Sequence, residues 1–169
     1  MSNDFPGKYL RRAQSNKKAN KKFLASLKRL PDRTVDGLFH EQHTQIFAET
    51  DCLACANCCK TTSPIFTTRD VERLAKSMKI RPAVFTERYL RTDEDGDYVL
   101  QSSPCTFLNA DNTCRVYDDR PQACREYPHT DRRKMSAILD LTYRNTLVCP
   151  AVERIVDKIR TILQEGQVQ

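Results

Sequence analysis

Four cysteines fall within eight residues, Cys52, Cys55, Cys58 and Cys59, in the pattern Cys-x-x-Cys-x-x-Cys-Cys. No other feature of the chain narrows its fold and chemistry as far. Closely spaced cysteine pairs are how a protein presents thiolates to one ion. Two blander accounts fail. A disulfide framework suits a short secreted chain, whereas this one has 169 residues and opens with MSNDFPGKYLRRAQ, which lacks the apolar stretch of a secretory signal. Inert buried thiols pack like small hydrophobes and could account for one or two of the eight cysteines. They do not account for a run whose neighbours are mostly small or polar. Metal ligation is therefore the expected use, in a cytoplasmic setting where thiols stay reduced. No apolar run approaches membrane-spanning length.

The other four cysteines are Cys105, Cys114, Cys124 and Cys149. They fall at expected element edges: a strand start, a hairpin arm, a short helix and the residue before Pro150. Four plus four matches two sites of four thiolates each. The doublet Cys58-Cys59 is harder to place on one ion. Adjacent side chains point to opposite sides of an extended segment and diverge by about 100° on a helix. The doublet is thus expected to link two centres, or two metals of one cluster. Zinc suits the Cys-x-x-Cys spacings. An iron–sulfur cluster suits the triplet followed by a remote Cys-Pro, here Cys149-Pro150. Spacing leaves zinc, iron and an iron–sulfur cluster all open. Arg120 and Arg125 flank Cys124 and are candidates to balance thiolate charge, with Arg115 beside Cys114 a weaker one.

Periodicity predicts a mostly α protein with small β-hairpins, an α+β class, organised as a compact single domain around the thiols. Residues 1–18 read as loose. Helices are expected at about Lys18–Leu30 and Thr34–Glu49, followed by a cysteine loop. SPIFTTRDVERLAKSMKI reads as a short strand into a helix capped by Thr67 with Asp70 three residues on, and Val71, Leu74 and Met78 form its buried stripe. RPAVFTERYL is a short helix with Pro82 in its first turn. Hairpins are expected across Asp95-Gly96 and between Cys105 and Cys114, and a one- or two-turn helix opens near Pro121. Two helices, about Asp131–Tyr143 and Pro150–Gln164, close the chain. The corresponding organisation is a basic helical segment (1–50), a cysteine-cluster domain (51–150) and a C-terminal helix (151–169) packed on it.

Charge is segregated. Residues 1–31 hold nine Lys/Arg and one acid, whereas residues 32–169 hold nineteen Lys/Arg and twenty-one acids. Phe23, Leu24, Leu27 and Leu30 recur at helical spacing, which favours an amphipathic helix with a solvated basic face. An arm over residues 8–30 for nucleic acid or another anionic partner is the second reading, disfavoured by sparse aromatics. His40 and His43 lie in HEQHT, a near miss for a zinc-protease helix; a polar helix face is expected instead.

The pattern at 52–59, TTRDVERLAKSMKIRPAVFTERYL at 67–90, PCTFLNADNTCRVYDDRPQACREYP at 104–128 and CP at 149–150 occur in that order. Together they resemble the YkgJ-type cysteine-cluster family, a zinc- or iron-chelating domain with relatives of flagellin N-methylase, over about residues 51–150. The resemblance implies that all eight cysteines are candidate ligands and that Tyr117, Arg120, Pro121, Arg125 and Pro128 are motif residues around them. It also brings in enzyme readings, a cluster-dependent oxidoreductase or a protein N-methylase. Against these, the four Gly are scattered and no dinucleotide fingerprint is present. The function expected first is a metal- or cluster-binding protein whose ion is structural or serves redox, transfer or sensing. A metal-stabilised interaction module with a basic arm is a further alternative. The expected partner is the metal ion, with an unnamed protein partner and nucleic acid at residues 8–30 left open.

Overall fold

The computed structural model describes residues 5–166. In chain order its first elements are α1 (Phe5–Ser15), α2 (Lys17–Leu27), α3 (Asp32–Ala48), α4 (Cys52–Cys55), α5 (Asn57–Thr61), β1 (Ile65–Phe66) and α6 (Thr68–Ser77). Then follow α7 (Pro82–Tyr89), β2 (Leu90–Thr92), β3 (Tyr98–Leu100), α8 (Gln122–Glu126), a 3-10 turn (Met135–Ile138), α9 (Leu139–Thr146) and α10 (Pro150–Glu165). The class is mostly α with one small antiparallel sheet, as the periodicity predicts. The elements form two compact units, one built from the chain up to Asp51 and from Pro128 onward, the other from Cys52–Tyr127.

The first unit is all helical. Val35, Phe39, Gln42 and Ile46 give α3 a buried stripe at i, i+3 or i+4 spacing. On α10, Val152, Ile155, Val156 and Ile159 are fully buried, and Pro150 takes the first helical position, where its missing N–H is not needed. Leu24 and Leu27 bring α2 into the same core. The expectation of a loose N-terminus is corrected over residues 5–15, which form α1; residues 1–4 lie outside the described residues. Polar contacts to α10 help to hold this helix. Ala13 is fully buried, the Arg12 guanidinium meets Asp157 and lies 3.7 Å from Glu153, and the Arg154 guanidinium sits 5.8 Å from the Tyr9 ring. The helix expected from Asp131 also starts later. Lys134 has φ +57°, and the Asp36 carboxylate accepts from the N–H groups of Lys134 (2.9 Å) and Met135 (2.7 Å). That cap begins the 3-10 turn at Met135, and α9 follows.

In the second unit the sheet order is β1-β3-β2, with Phe66 opposite Tyr98 and Leu90 opposite Leu100. The expected hairpin forms; Gly96 takes φ +84° in its turn, a conformation costly for other residues. Helix α6 has the capping box read from the sequence: Thr67 accepts from Asp70 N, and Asp70 accepts from Thr67 N. Val71, Leu74 and Ala75 face Phe66, Phe85, Leu90 and Phe107 in an aromatic-rich core. The Phe85 and Phe107 rings stack 6.2 Å apart, with Tyr89 5.1 Å from Phe85 and 5.3 Å from Phe107. Between Cys105 and Cys114 the expected hairpin shrinks to a single bridge, Leu108 with Cys114, plus a tight turn closed by Asn109 N donating to Thr113 O.

Candidate metal centre

The expected cysteine loop is two one-turn helices. Cys52 and Cys55 begin and end α4, and Cys58 and Cys59 lie in α5. Ala56 between them adopts φ +48°, ψ +20°, which breaks one helix and restarts the next on a new axis. The segment is tied to the stretch that carries Cys105 and Cys114. Cys105 N donates to Cys59 O (2.8 Å), Ser103 Oγ to Lys60 O (3.0 Å) and Asn112 Nδ2 to Leu53 O (2.6 Å). Cys105 and Cys114 pack against the aromatic core, and Cys124 sits in the middle of α8.

The sulfurs of Cys58 and Cys59 are 3.9 Å apart. Two thiolates on one tetrahedral zinc, each about 2.3 Å from the ion, stand roughly 3.8 Å apart. Divergence along the helix is therefore no bar to one ion taking both members of the doublet. Hydrogen bonding with Cys58 lowers the Cys59 thiol to about 7; burial opposes this and the Lys60 charge assists it. Burial pushes the Cys124 thiol up to about 12, and the charges of Cys59, Cys105 and Cys114 push the same way, while Arg120 opposes them. Cys105 is likewise raised, first by burial and also by Cys59 and Cys114, against N–H groups that lower it. The charges of Cys59 and Cys114 thus bear on both Cys105 and Cys124. A cation among them would reverse that effect, which is the chemistry expected of a thiolate donor set. Among the described residues, no three Cys, His, Asp or Glu side chains already converge at ligand distances. The donor types fit zinc or iron, and closing around an ion would require the short cysteine-bearing elements to shift.

Cys149 lies in the other unit, as the N-cap of α10. Tyr117 is exposed, and Arg120 stacks on its ring with the guanidinium carbon 3.7 Å from the centroid, while Arg120 Nη1 donates to Tyr117 O. Arg125 Nε donates to Arg120 O (3.1 Å), and Arg115 Nη2 donates to Thr106 O (2.8 Å). Of these arginines, Arg120 is the one whose charge reaches Cys124. His40 and His43 pair through ring nitrogens with Arg132 O and Thr130 Oγ1, both at 2.8 Å, and so hold the chain entering the 3-10 turn.

Asp70 does more than cap its helix. It is 1% exposed and accepts four hydrogen bonds: from Thr67 N (3.0 Å), Thr67 Oγ1 (2.7 Å), Arg73 Nη2 (2.6 Å) and Gln122 N (3.1 Å). Arg73 also donates to the carbonyls of Asp119 and Arg120. This pair therefore fixes the start of the helix that presents Cys124. The Thr67–Asp70 spacing was visible in the sequence, but the links of Asp70 to Arg73 and Gln122 were not.

A helical chain with a small sheet, seven of whose eight cysteines fall on short helices and tight turns of one unit, defines a cysteine-rich metal-binding class. Residues 51–149 match the family model described as "CxxCxxCC: Putative zinc- or iron-chelating domain", and the chain belongs to that family. Searches of curated proteins and of solved structures found no match. No helix among the described residues is long and apolar enough to cross a membrane.

Proposed function

We propose that this protein binds zinc or iron through Cys59, Cys105, Cys114 and Cys124 as one thiolate centre, with Cys52, Cys55 and Cys58 as a further donor group on α4 and α5. The observation that carries this reading is that thiols from separate stretches of chain meet: Cys105 N donates to Cys59 O, and the charges of Cys59, Cys105 and Cys114 all bear on Cys124. A bound ion supplies the positive charge that lets them ionise together. Arg120 adds to that charge at Cys124, and the Cys105–Cys59 backbone bond sets the spacing of two of the donors. The ion's role is first structural. Helices α4, α5 and α8 have four or five residues each, too few to be stable by themselves, so ligation would hold them in place and ligation energy becomes folding energy.

The test is anaerobic purification followed by zinc, iron and acid-labile sulfide analysis of the wild type and of single Ser variants of all eight cysteines. Cys124→Ser and Cys59→Ser are expected to lose bound metal. Retention of full metal content in both would overturn the centre. Stoichiometric sulfide would assign a cluster rather than isolated ions. Partial loss in both Cys58→Ser and Cys59→Ser would place the doublet on two centres, and the Cys149→Ser count decides whether that residue is a ligand.

A further inference from the structure

The basic N-terminal stretch is not used by the thiol chemistry, and the fold sorts its charges. Arg12 turns inward to Glu153 and Asp157. On α2 the buried side chains are Asn20, Leu24 and Leu27, all on one side. At 100° per residue, Lys18 and Lys22 form a row opposite the buried side and Lys17 and Lys21 a row bordering it, with Lys28 and Arg29 in the turn just past the helix. All six are exposed. Lys28 pairs with Asp140 at 3.1 Å, while Lys17, Lys18, Lys21, Lys22 and Arg29 have no ion-pair partner among the described residues. From Lys17 to the C-cap Lys28 the ridge is about 16 Å long, at 1.5 Å of rise per residue.

This arrangement works against the helix that carries it. Lys17 and Lys18 sit in its first turn, where the helix dipole disfavours cations, and that turn has no acid and no side-chain cap. Lys17 with Lys21 and Lys18 with Lys22 are like-charge i, i+4 pairs, which weaken a helix. A face that only needed solvation would mix signs.

We infer that the exposed face of α2 is a sequence-independent binding surface for the phosphate backbone of duplex nucleic acid. Its only apolar side chains are Ala19 and Ala25, so it offers no anchor of the kind that centres a protein–protein interface. A membrane-surface helix inserts its apolar face, and here that face is buried in the unit's core. Single strands are held by exposed aromatic platforms. Phe23, the aromatic nearest the ridge, is half-buried, with the Arg160 guanidinium 5.0 Å from its ring. What remains is a double row of cations suited to phosphates.

The experiment is fluorescence anisotropy of the full chain with short labelled duplexes of unrelated sequence, across a salt series. With four or five phosphates engaged, the slope of log K against log salt is expected at about −3.6 to −4.5, and affinity should fall on the order of 10²-fold from about 50 to 200 mM salt. The Lys18→Gln/Lys21→Gln/Lys22→Gln variant should keep its melting curve and metal content and lose about 2.7 from the magnitude of the slope. The corresponding triple Arg variant should bind like wild type. Absence of duplex binding at low salt would overturn the inference. So would binding that the triple Gln variant leaves unchanged, or tighter binding to phosphatidylserine vesicles than to duplex.

Discussion

Replacing Asp70 tests how the metal-binding unit is held together. The wild-type carboxylate is nearly inaccessible and satisfies two backbone N–H groups, one hydroxyl and the half-exposed Arg73. In Asp70→Ala the N–H of Gln122 is left without its acceptor, at about 1–2 kcal/mol. The charge-assisted bond to Arg73 contributes about 1–2 kcal/mol, the lower half of the range for charged partners because Arg73 reaches solvent. The capping-box bond from Thr67 N is lost as well, which adds about 1 kcal/mol. The expected destabilisation is about 3–5 kcal/mol, read by urea unfolding followed by circular dichroism. Burial alone would raise the Asp70 carboxyl, but bonds from Thr67, Arg73 and Gln122 outweigh it and hold the group below its ordinary value. Its folded pKa is therefore depressed. Its contribution is complete above the unfolded value of about 3.9 and is lost as pH falls through the lower folded value. Asp70→Asn should flatten the acid limb of the stability curve below about pH 4. Because Gln122 lies two residues before Cys124, Asp70→Ala should also release metal at lower chelator concentration. A loss under about 0.5 kcal/mol, the size of an ordinary surface substitution, would refute this reasoning, as would strict additivity in an Asp70/Arg73 double-mutant cycle.

Metal removal by a chelator, or Cys55→Ala, should lower Tm by many degrees, measured by calorimetry, because ligation energy is folding energy here. Phe85→Ala removes the ring that meets Phe66, Tyr89 and Phe107 and should cost about 3–5 kcal/mol in urea unfolding. In the other unit, burial raises the Glu153 carboxyl to about 7 despite Asn20, Arg12 and Arg160. The native state thus holds a proton that the unfolded chain releases above about pH 4.5. Wild-type stability should fall on the order of 2–3 kcal/mol between about pH 4.5 and 7 from this group, and Glu153→Gln should remove that slope in a pH series of urea titrations.

What was legible in the sequence was what local pattern carries. The stripe of α6, its Thr67 cap, the turn at Gly96 and the proline starts of α7 and α10 each sit within a window of a few residues, and each formed as expected. Helix α1 was missed because what holds it is remote: Arg12 finds Glu153 and Asp157 near the far end of the chain. The one-turn helices α4 and α5 are too short for any period to register, and the left-handed Ala56 that separates them has no glycine signature. The cysteines could be picked out by spacing. The proposed grouping of Cys59 with Cys105, Cys114 and Cys124 draws on backbone bonds such as Cys105 to Cys59 that spacing does not encode.

The first unit is discontinuous in sequence, with the whole of Cys52–Tyr127 inserted between its two parts. On the ribosome this sets an order of events. When α1, α2 and α3 emerge, the residues that will cover Leu24, Leu27 and Phe39, chiefly those of α9 and α10, have not been made. At about 5–20 residues per second, translating the intervening segment takes roughly 4–15 s. During that interval the early helices expose an apolar stripe to chaperones, and at its end the Cys52–Tyr127 unit has all of its own chain while the helical unit does not. The Cys52–Tyr127 unit can therefore complete its own fold before the helical unit closes, and a pause placed after Tyr127 would lengthen the wait of the early helices.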